Sequence, residues 1–191
     1  MQNDPMLPLV RIMALYGLRR SEVLGLKWDS IDFENSLVLI HHTVCKMVTK
    51  VEKDRTKTES SRRGFPMTEE ARAIFLAAKA QEGENCRLFG KGYQRNDYVF
   101  KWPDGRPFEP DYVTHHFAKV LARNGLEHIR FHELRHTFAT MALQNGVDVK
   151  TVSSMLGHYS AGFTLDTYAH VTTDAQLKAA QTMGNILSCA V

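Results

Sequence analysis

The sequence predicts an α+β domain, mostly helical, with one small antiparallel β-sheet. Three observations carry this expectation. Outside residues 31–66, apolar residues recur at helical spacing in one segment after another. Between Ile31 and Pro66 the pattern changes to short β-branched and apolar runs. The chain has 191 residues, of which 43% are hydrophobic and 24% charged, enough for one domain with a real core and too few for a multidomain machine.

Leu7, Val10, Ile12, Met13 and Leu15 make an apolar first helix that Gly17 can terminate. Ser21 can cap a second helix carrying Val23, Leu24, Leu26 and Trp28, so Arg19 and Arg20 fall at a helix–helix junction. Ser36 to His42, Thr43 to Val51 and Arg63 to Met67 read as strands of a single sheet, with Lys57 near a turn. Thr68 caps a helix whose Ala71, Ile74, Phe75 and Ala78 form a core stripe. Gly90 to Pro110 is loop-rich, and a helix follows over Asp111 to Asn124 with Val113, Phe117, Val120 and Leu121 on one face. The next helix, Glu133 to Gln144, is expected to bury Leu134, Phe138, Met141 and Ala142, and Asn145-Gly146 ends it. Asp148 caps a short helix with Val149, Val152 and Leu156, and a last amphipathic segment runs from about Asp174 to Leu187.

The net charge of +3 is too small to name a partner, but its distribution is uneven. Residues 46–63 hold Lys46, Lys50, Lys53, Arg55, Lys57, Arg62 and Arg63 against Glu52, Asp54 and Glu59, a local +4. Such a strip is the footprint of a phosphate-backbone contact, or else a solvated hairpin rich in lysine. No apolar run reaches membrane-spanning length, and Met1 to Pro8 lacks the pattern of a signal peptide. Cys45, Cys86 and Cys189 are odd in number and widely spaced, which fits a reducing cytoplasm and suggests neither a disulfide framework nor a cysteine zinc site.

His132-Glu133-Leu134-Arg135-His136 places His132 and Arg135 at i and i+3 on one helical face. A proton acceptor beside a guanidinium fork suits a phosphate that must be gripped while a nearby oxygen loses its proton. The same run has the H-E-x-x-H spacing of a zinc helix, but Arg135 between the ligands and the lack of a third ligand at a family spacing weigh against metal. Thr137 to Leu156 also reads as helix, Asn-Gly turn, helix, the pattern of a DNA-binding regulator. Leu156-Gly157-His158 and Tyr168 form a second cluster. With few large apolar neighbours nearby in sequence, the Tyr168 hydroxyl is expected to be presented rather than packed.

Gly17-Leu18-Arg19-Arg20-Ser21-Glu22, Thr56-Lys57-Thr58, His132-x-x-Arg135-His136, Leu156-Gly157-His158 and Tyr168 occur in an order that resembles the tyrosine recombinase (phage integrase) catalytic domain. The resemblance covers nearly the whole chain. It implies that Arg19 and Arg135 clamp a scissile DNA phosphate, with Arg20 the rival of Arg19. Glu22 would orient the junction, and Lys57 would protonate the departing 5′ oxygen, with Lys53 as alternative. His132 would accept the tyrosine proton, His158 would hydrogen-bond the phosphate, His136 would support, and Tyr168 would be the nucleophile. Lys53, Arg55, Arg62 and Arg63 are expected to contact DNA.

The implied reaction is strand cleavage and rejoining through a 3′-phosphotyrosyl bond, for integration or excision of a mobile element, and it requires neither ATP nor a metal. A type IB topoisomerase shares this chemistry. The partners implied are double-stranded DNA and further protomers, four on recombining DNA and a monomer in isolation, with residues 174–191 docking on a neighbour. Residues 1–191 would be the catalytic domain, without the amino-terminal core-binding and arm domains of the family.

Overall fold

A computed structural model describes residues 4–46, 50–53, 63–158, 160–168, 180–183 and 185. It is mostly helical with antiparallel strands, as the sequence predicts. Helix α1 (Leu7–Tyr16) buries Leu9, Ile12, Met13 and Tyr16 and ends at Gly17, whose φ of 62° is the left-handed conformation that costs glycine least. Helix α2 (Arg20–Leu24) is shorter than expected, and its N-cap is Arg19, not Ser21. Glu22 at the third helical position reaches back to the Arg19 backbone N–H at 2.7 Å, while the Arg19 side chain folds over the same turn. A carboxylate therefore closes the junction that a serine hydroxyl was expected to close.

A 3₁₀ turn (Trp28–Ser30) leads into β1 (Ile31–Asp32), β2 (Leu37–Ile40), β3 (Thr43–Lys46), β4 (Lys50–Lys53) and β5 (Arg63–Pro66). These strands form two sheets where one was expected. One is three-stranded in the order β1-β2-β5, and the other is the β3-β4 hairpin. In the larger sheet, Val38 pairs with Phe65 and Ile40 with Arg63. Alternation along β2 buries Val38 and Ile40 and leaves Leu37 and Leu39 out. The chain leaves β2 after Ile40, and His41 and His42 belong to neither sheet.

Helix α3 (Glu69–Phe89) starts at Thr68, whose hydroxyl accepts from the Ala71 N–H at 3.2 Å, and buries Ala71, Ile74 and Phe75. Helix α4 (Pro110–Arg123) buries all four expected residues, Val113, Phe117, Val120 and Leu121. Together with α1, α2 and the larger sheet these elements enclose the main core.

Helices α5 (Glu133–Gln144), α6 (Val149–Leu156) and α7 (Ala161–Thr167) enclose a smaller core of Ala139, Leu143, Val152, Leu156 and Tyr168. Helix α6 is capped by Asp148 as expected, with the carboxylate accepting from Thr151 N–H at 2.9 Å, and it ends at the left-handed Gly157. The bounds of α5 match the expected helix, and of its expected face Leu134, Phe138 and Ala142 are partly buried against the two cores. Arg135, Ala139 and Leu143 are buried, whereas Met141 is 56% exposed. Of the expected carboxy-terminal helix, residues 180–183 and 185 are described and are helical.

Candidate active site

The buried face of α5 explains how an arginine enters the interior. Arg135 is 4% exposed, and it donates from Nη1 to the Gly17 carbonyl at 2.7 Å and from Nη2 to the Leu156 carbonyl. These carbonyls end α1 and α6, where the helix dipole is negative and carbonyls lack intrahelical partners. Arg19 joins the same place, donating from Nη2 to the Gly157 carbonyl at 3.1 Å. Arginines 116 positions apart in sequence are thus anchored on consecutive carbonyls, Leu156 and Gly157.

Glu22 organises this cluster. Its carboxylate accepts from Arg19 N and Nη1 at 2.7 and 2.8 Å, and from Arg63 Nη1 and Nη2 at 3.0 and 2.8 Å. Burial alone would raise its pKa, but the hydrogen bonds and charges of Arg63 and Arg19 overcome this and hold it below the usual carboxylate value. Arg63 also donates from Nε to the Met155 carbonyl at 2.8 Å, and its side chain is 8% exposed. Arg63, expected on the DNA-contacting strip, is therefore an internal tie between β5, α2 and α6. Arg20 turns away, donating to Thr114 Oγ1 at 2.7 Å on α4, which leaves Arg19 as the arginine of the cluster.

The cluster sets three guanidinium groups against one carboxylate, a formal excess of two positive charges. Burial, and then the charge of Arg19, push the Arg135 pKa down to about 10, so it stays charged at neutral pH. His158 follows Gly157 directly. Burial and then the charges of Arg135, Arg19 and Arg63 push its pKa down to about 4, so its imidazole is neutral, and Nδ1 lies 2.8 Å from Thr164 Oγ1. His132 is also lowered, by burial first and then by His136 and Arg135.

Tyr168 caps α7 and is 4% exposed, packed among Ala139, Leu143, Val152 and Leu156. The expectation of a presented hydroxyl is thus corrected, because the packing partners come from α5 and α6, remote in sequence. The hydroxyl lies 2.8 Å from Nδ1 of His136, and the His136 ring meets His132 edge-on with centroids 5.2 Å apart. In this structure the imidazole on the tyrosine hydroxyl is that of His136, where His132 was expected. Burial raises the Tyr168 pKa and the Arg135 charge opposes the rise.

Arg19, Glu22, His132, Arg135, His136, His158 and Tyr168 are therefore brought together. Lys57, Arg55 and Arg62 lie outside the described residues, and Lys53 is placed only as the end of β4. Glu133, the residue that would serve as base in a zinc helix, is bonded to the backbone N–H and guanidinium of Arg130. The helix pair α5–α6 does turn at Asn145 to Asp148, but its inner face carries the arginine site.

Residues 5–175 match the Phage integrase family. A tyrosine recombinase XerC-like protein of Caldanaerobacter subterraneus subsp. tengcongensis is 31% identical over 183 residues, covering 89% of this chain and 46% of that protein. The transposase from transposon Tn916 of Enterococcus faecalis is 34% identical over 176 residues, covering 88% of this chain and 43% of that protein. The chain thus spans less than half the length of these relatives. Among solved structures, the Tn1549 transposon integrase in complex with transposon right end DNA superimposes with a TM-score of 0.78 at 24% identity, over 96% of this chain and 61% of that one. XerA recombinase superimposes with a TM-score of 0.62 at 23% identity, over 96% of this chain and 57% of that one.

Proposed function

Because the chain belongs to the phage integrase family of tyrosine recombinases, we propose that it cleaves and rejoins DNA strands through a 3′-phosphotyrosyl intermediate. The observation that carries this reading is the excess of guanidinium charge at the ends of α1 and α6, with a tyrosine hydroxyl held nearby on an imidazole. A phosphoryl transition state spreads negative charge over its equatorial oxygens, and Arg19 and Arg135 supply fixed donors to meet it. Each guanidinium carries five N–H donors. Arg135 gives two hydrogen bonds to carbonyls, and Arg19 gives one to Glu22 and one to Gly157.

Tyr168 attacks phosphorus, its O–H proton passes to Nδ1 of His136, the P–O bond to the 5′ oxygen breaks, and that oxygen leaves as a hydroxyl once protonated. His136 accepts at Nδ1 when its own proton is on Nε2. Neutral His158 hydrogen-bonds a phosphate oxygen, and Lys57 protonates the leaving oxygen. A 5′ hydroxyl from another strand reverses the step, so one phosphodiester is exchanged for another without ATP. The tyrosine leaves its apolar seat to reach the phosphate, a movement of the α7 segment.

Residues 1–191 act as the catalytic part of a longer recombinase, on double-stranded DNA and with further copies of itself through residues 174–191, to integrate or excise a mobile element. The names of the relatives, a transposon transposase among them, support that assignment. No described helix is long and apolar enough to cross a membrane. The proposed place of action is the cytoplasm.

The experiment incubates the chain with nicked duplexes randomised around the nick and looks for a protein–DNA adduct that survives denaturation. Wild type forms the adduct and Tyr168→Phe does not. An adduct undiminished by Tyr168→Phe, or none from wild type across the pool, overturns the reading.

A further inference from the structure

Away from the arginine cluster, Asp29, His41 and His42 each offer one ligand atom, all within 4.8 Å of one another, the one such group of three metal-ligating residues among the described residues. Nε2 of His41 lies 3.6 Å from one oxygen of Asp29, and Nε2 of His42 lies 3.3 Å from the other. We propose that these three residues bind a divalent transition-metal ion of the zinc class.

The backbone explains why the three side chains converge. Successive residues of an extended strand point to opposite faces, so a His-His pair inside a strand could not share a ligand. His41 and His42 fall after β2 has ended and before β3 begins, and their rings lie on one side with centroids 4.1 Å apart. Asp29 sits in the 3₁₀ turn ahead of β1, and β1 pairs with β2 through Ile31 and Val38. Extending that antiparallel register sets Asp29 across from Ile40, next to His41.

The spacing suits the ion. Bonds of about 2.0–2.1 Å at a tetrahedral centre put neighbouring ligand atoms about 3.4 Å apart. Each imidazole already lies near that distance from one of the two Asp29 oxygens, and with one ligand atom per residue no pair has to close by more than about 1.4 Å, within reach of side-chain rotation. Two imidazoles, borderline nitrogen donors, beside one carboxylate favour zinc, cobalt or nickel over magnesium and calcium, which take oxygen ligands. Ser30 donates from its hydroxyl to Asp29 Oδ1 at 3.2 Å, an outer partner that orients the carboxylate. The side chains are 62%, 30% and 14% exposed for Asp29, His41 and His42, so the ion has an open path and a fourth position for water. A bound ion ties the turn before β1 to the link between the two sheets, where the chain sets out toward the basic strip.

Isothermal titration of the chain with zinc chloride in chelator-free buffer tests this. One zinc ion binds per chain, and affinity falls at least tenfold in Asp29→Asn and in His41→Ala, both half-exposed or exposed positions whose folding is checked by circular dichroism. His132→Ala retains binding, and magnesium chloride gives no saturable heat. Zinc also slows amide exchange at residues 42–44 in wild type and leaves it unchanged in His41→Ala. No saturable zinc binding, wild-type affinity in Asp29→Asn and His41→Ala, or loss only in His132→Ala overturns the proposal, as does equal binding of magnesium.

Discussion

Replacing Glu22 by Gln removes the one carboxylate that holds the arginine cluster together. Glu22 is 2% exposed, and its four acceptor contacts come from Arg19 and Arg63. Glutamine keeps one acceptor oxygen and turns an N–H₂ donor toward guanidinium donors. Arg63, 8% exposed at its side chain, and the buried Arg135 are then left without their nearest negative charge. Removing one partner of a buried ion pair costs about 3–5 kcal/mol. For a domain of this size that lowers Tm by roughly 6–20 °C.

Urea denaturation of wild type and Glu22→Gln measures the difference. Adding Arg63→Met to Glu22→Gln recovers part of it, because the unpaired cation is removed as well. The acid side provides a second reading. Folding depresses the Glu22 pKa below its ordinary value of 4.5, so its contribution is complete above that value and is lost as pH falls through the lower folded pKa. Glu22→Gln is deprived of that part of the acid slope. A loss below about 1 kcal/mol, in the range of an exposed pair, would refute the view that Glu22 is the keystone of a buried network.

Gly17→Ala places a Cβ 2.4 Å from Phe138 Cδ1 at a φ of 62°, so stability falls by about 1–3 kcal/mol. The Gly17 carbonyl under Arg135 shifts as well, and adduct formation drops further than stability does. On α5, Leu143→Ala costs about 2–5 kcal/mol while Met141→Gln stays within about 0.5 kcal/mol, and equal losses in denaturation would refute the observed face. His158 has its folded pKa near 4 against 6.5 unfolded, so the unfolded chain binds more protons between these values. Stability therefore declines as pH falls from about 6.5 toward 4, and His158→Asn flattens that decline in a pH series of denaturation curves. Tyr168→Phe keeps the ring among Ala139, Leu143, Val152 and Leu156 and changes stability by no more than about 1.5 kcal/mol, because one hydrogen bond to His136 is lost.

Much of the helical frame was legible in the sequence because local signals coincide there. Gly17 and Asn145-Gly146 end helices, Thr68 and Asp148 cap them, and Val113, Phe117, Val120 and Leu121 share a period that one face of α4 buries. What misled was the assumption that a buried face is apolar. Helix α5 turns Arg135 inward because the carbonyls of Gly17 and Leu156 receive it, and those partners are 118 and 21 residues away. Arg63 looked like part of a basic strip for the same reason, since its partner Glu22 is 41 residues distant. Tyr168 looked exposed because its packing neighbours lie on other helices. The motif order did bring the arginines, the histidines and Tyr168 to one place. The pattern from Ser36 to His42 places His41 and His42 on a strand, and only the break between two sheets sets them side by side.

The choice of backbone oxygen to seat Arg135 shapes what the pocket can discriminate. A carboxylate in the place of the Gly17 or Leu156 carbonyl would cancel the cation it holds, whereas a carbonyl contributes only a partial charge. The field survives for an incoming anion, and peptide groups, unlike side chains, cannot be exchanged by a point substitution. Such a trap meets the oxygens of an anion, and on the proposed DNA substrate it is blind to base order. On that reading, any preference for one DNA sequence is written elsewhere on the surface, where residues can drift without disturbing the trap.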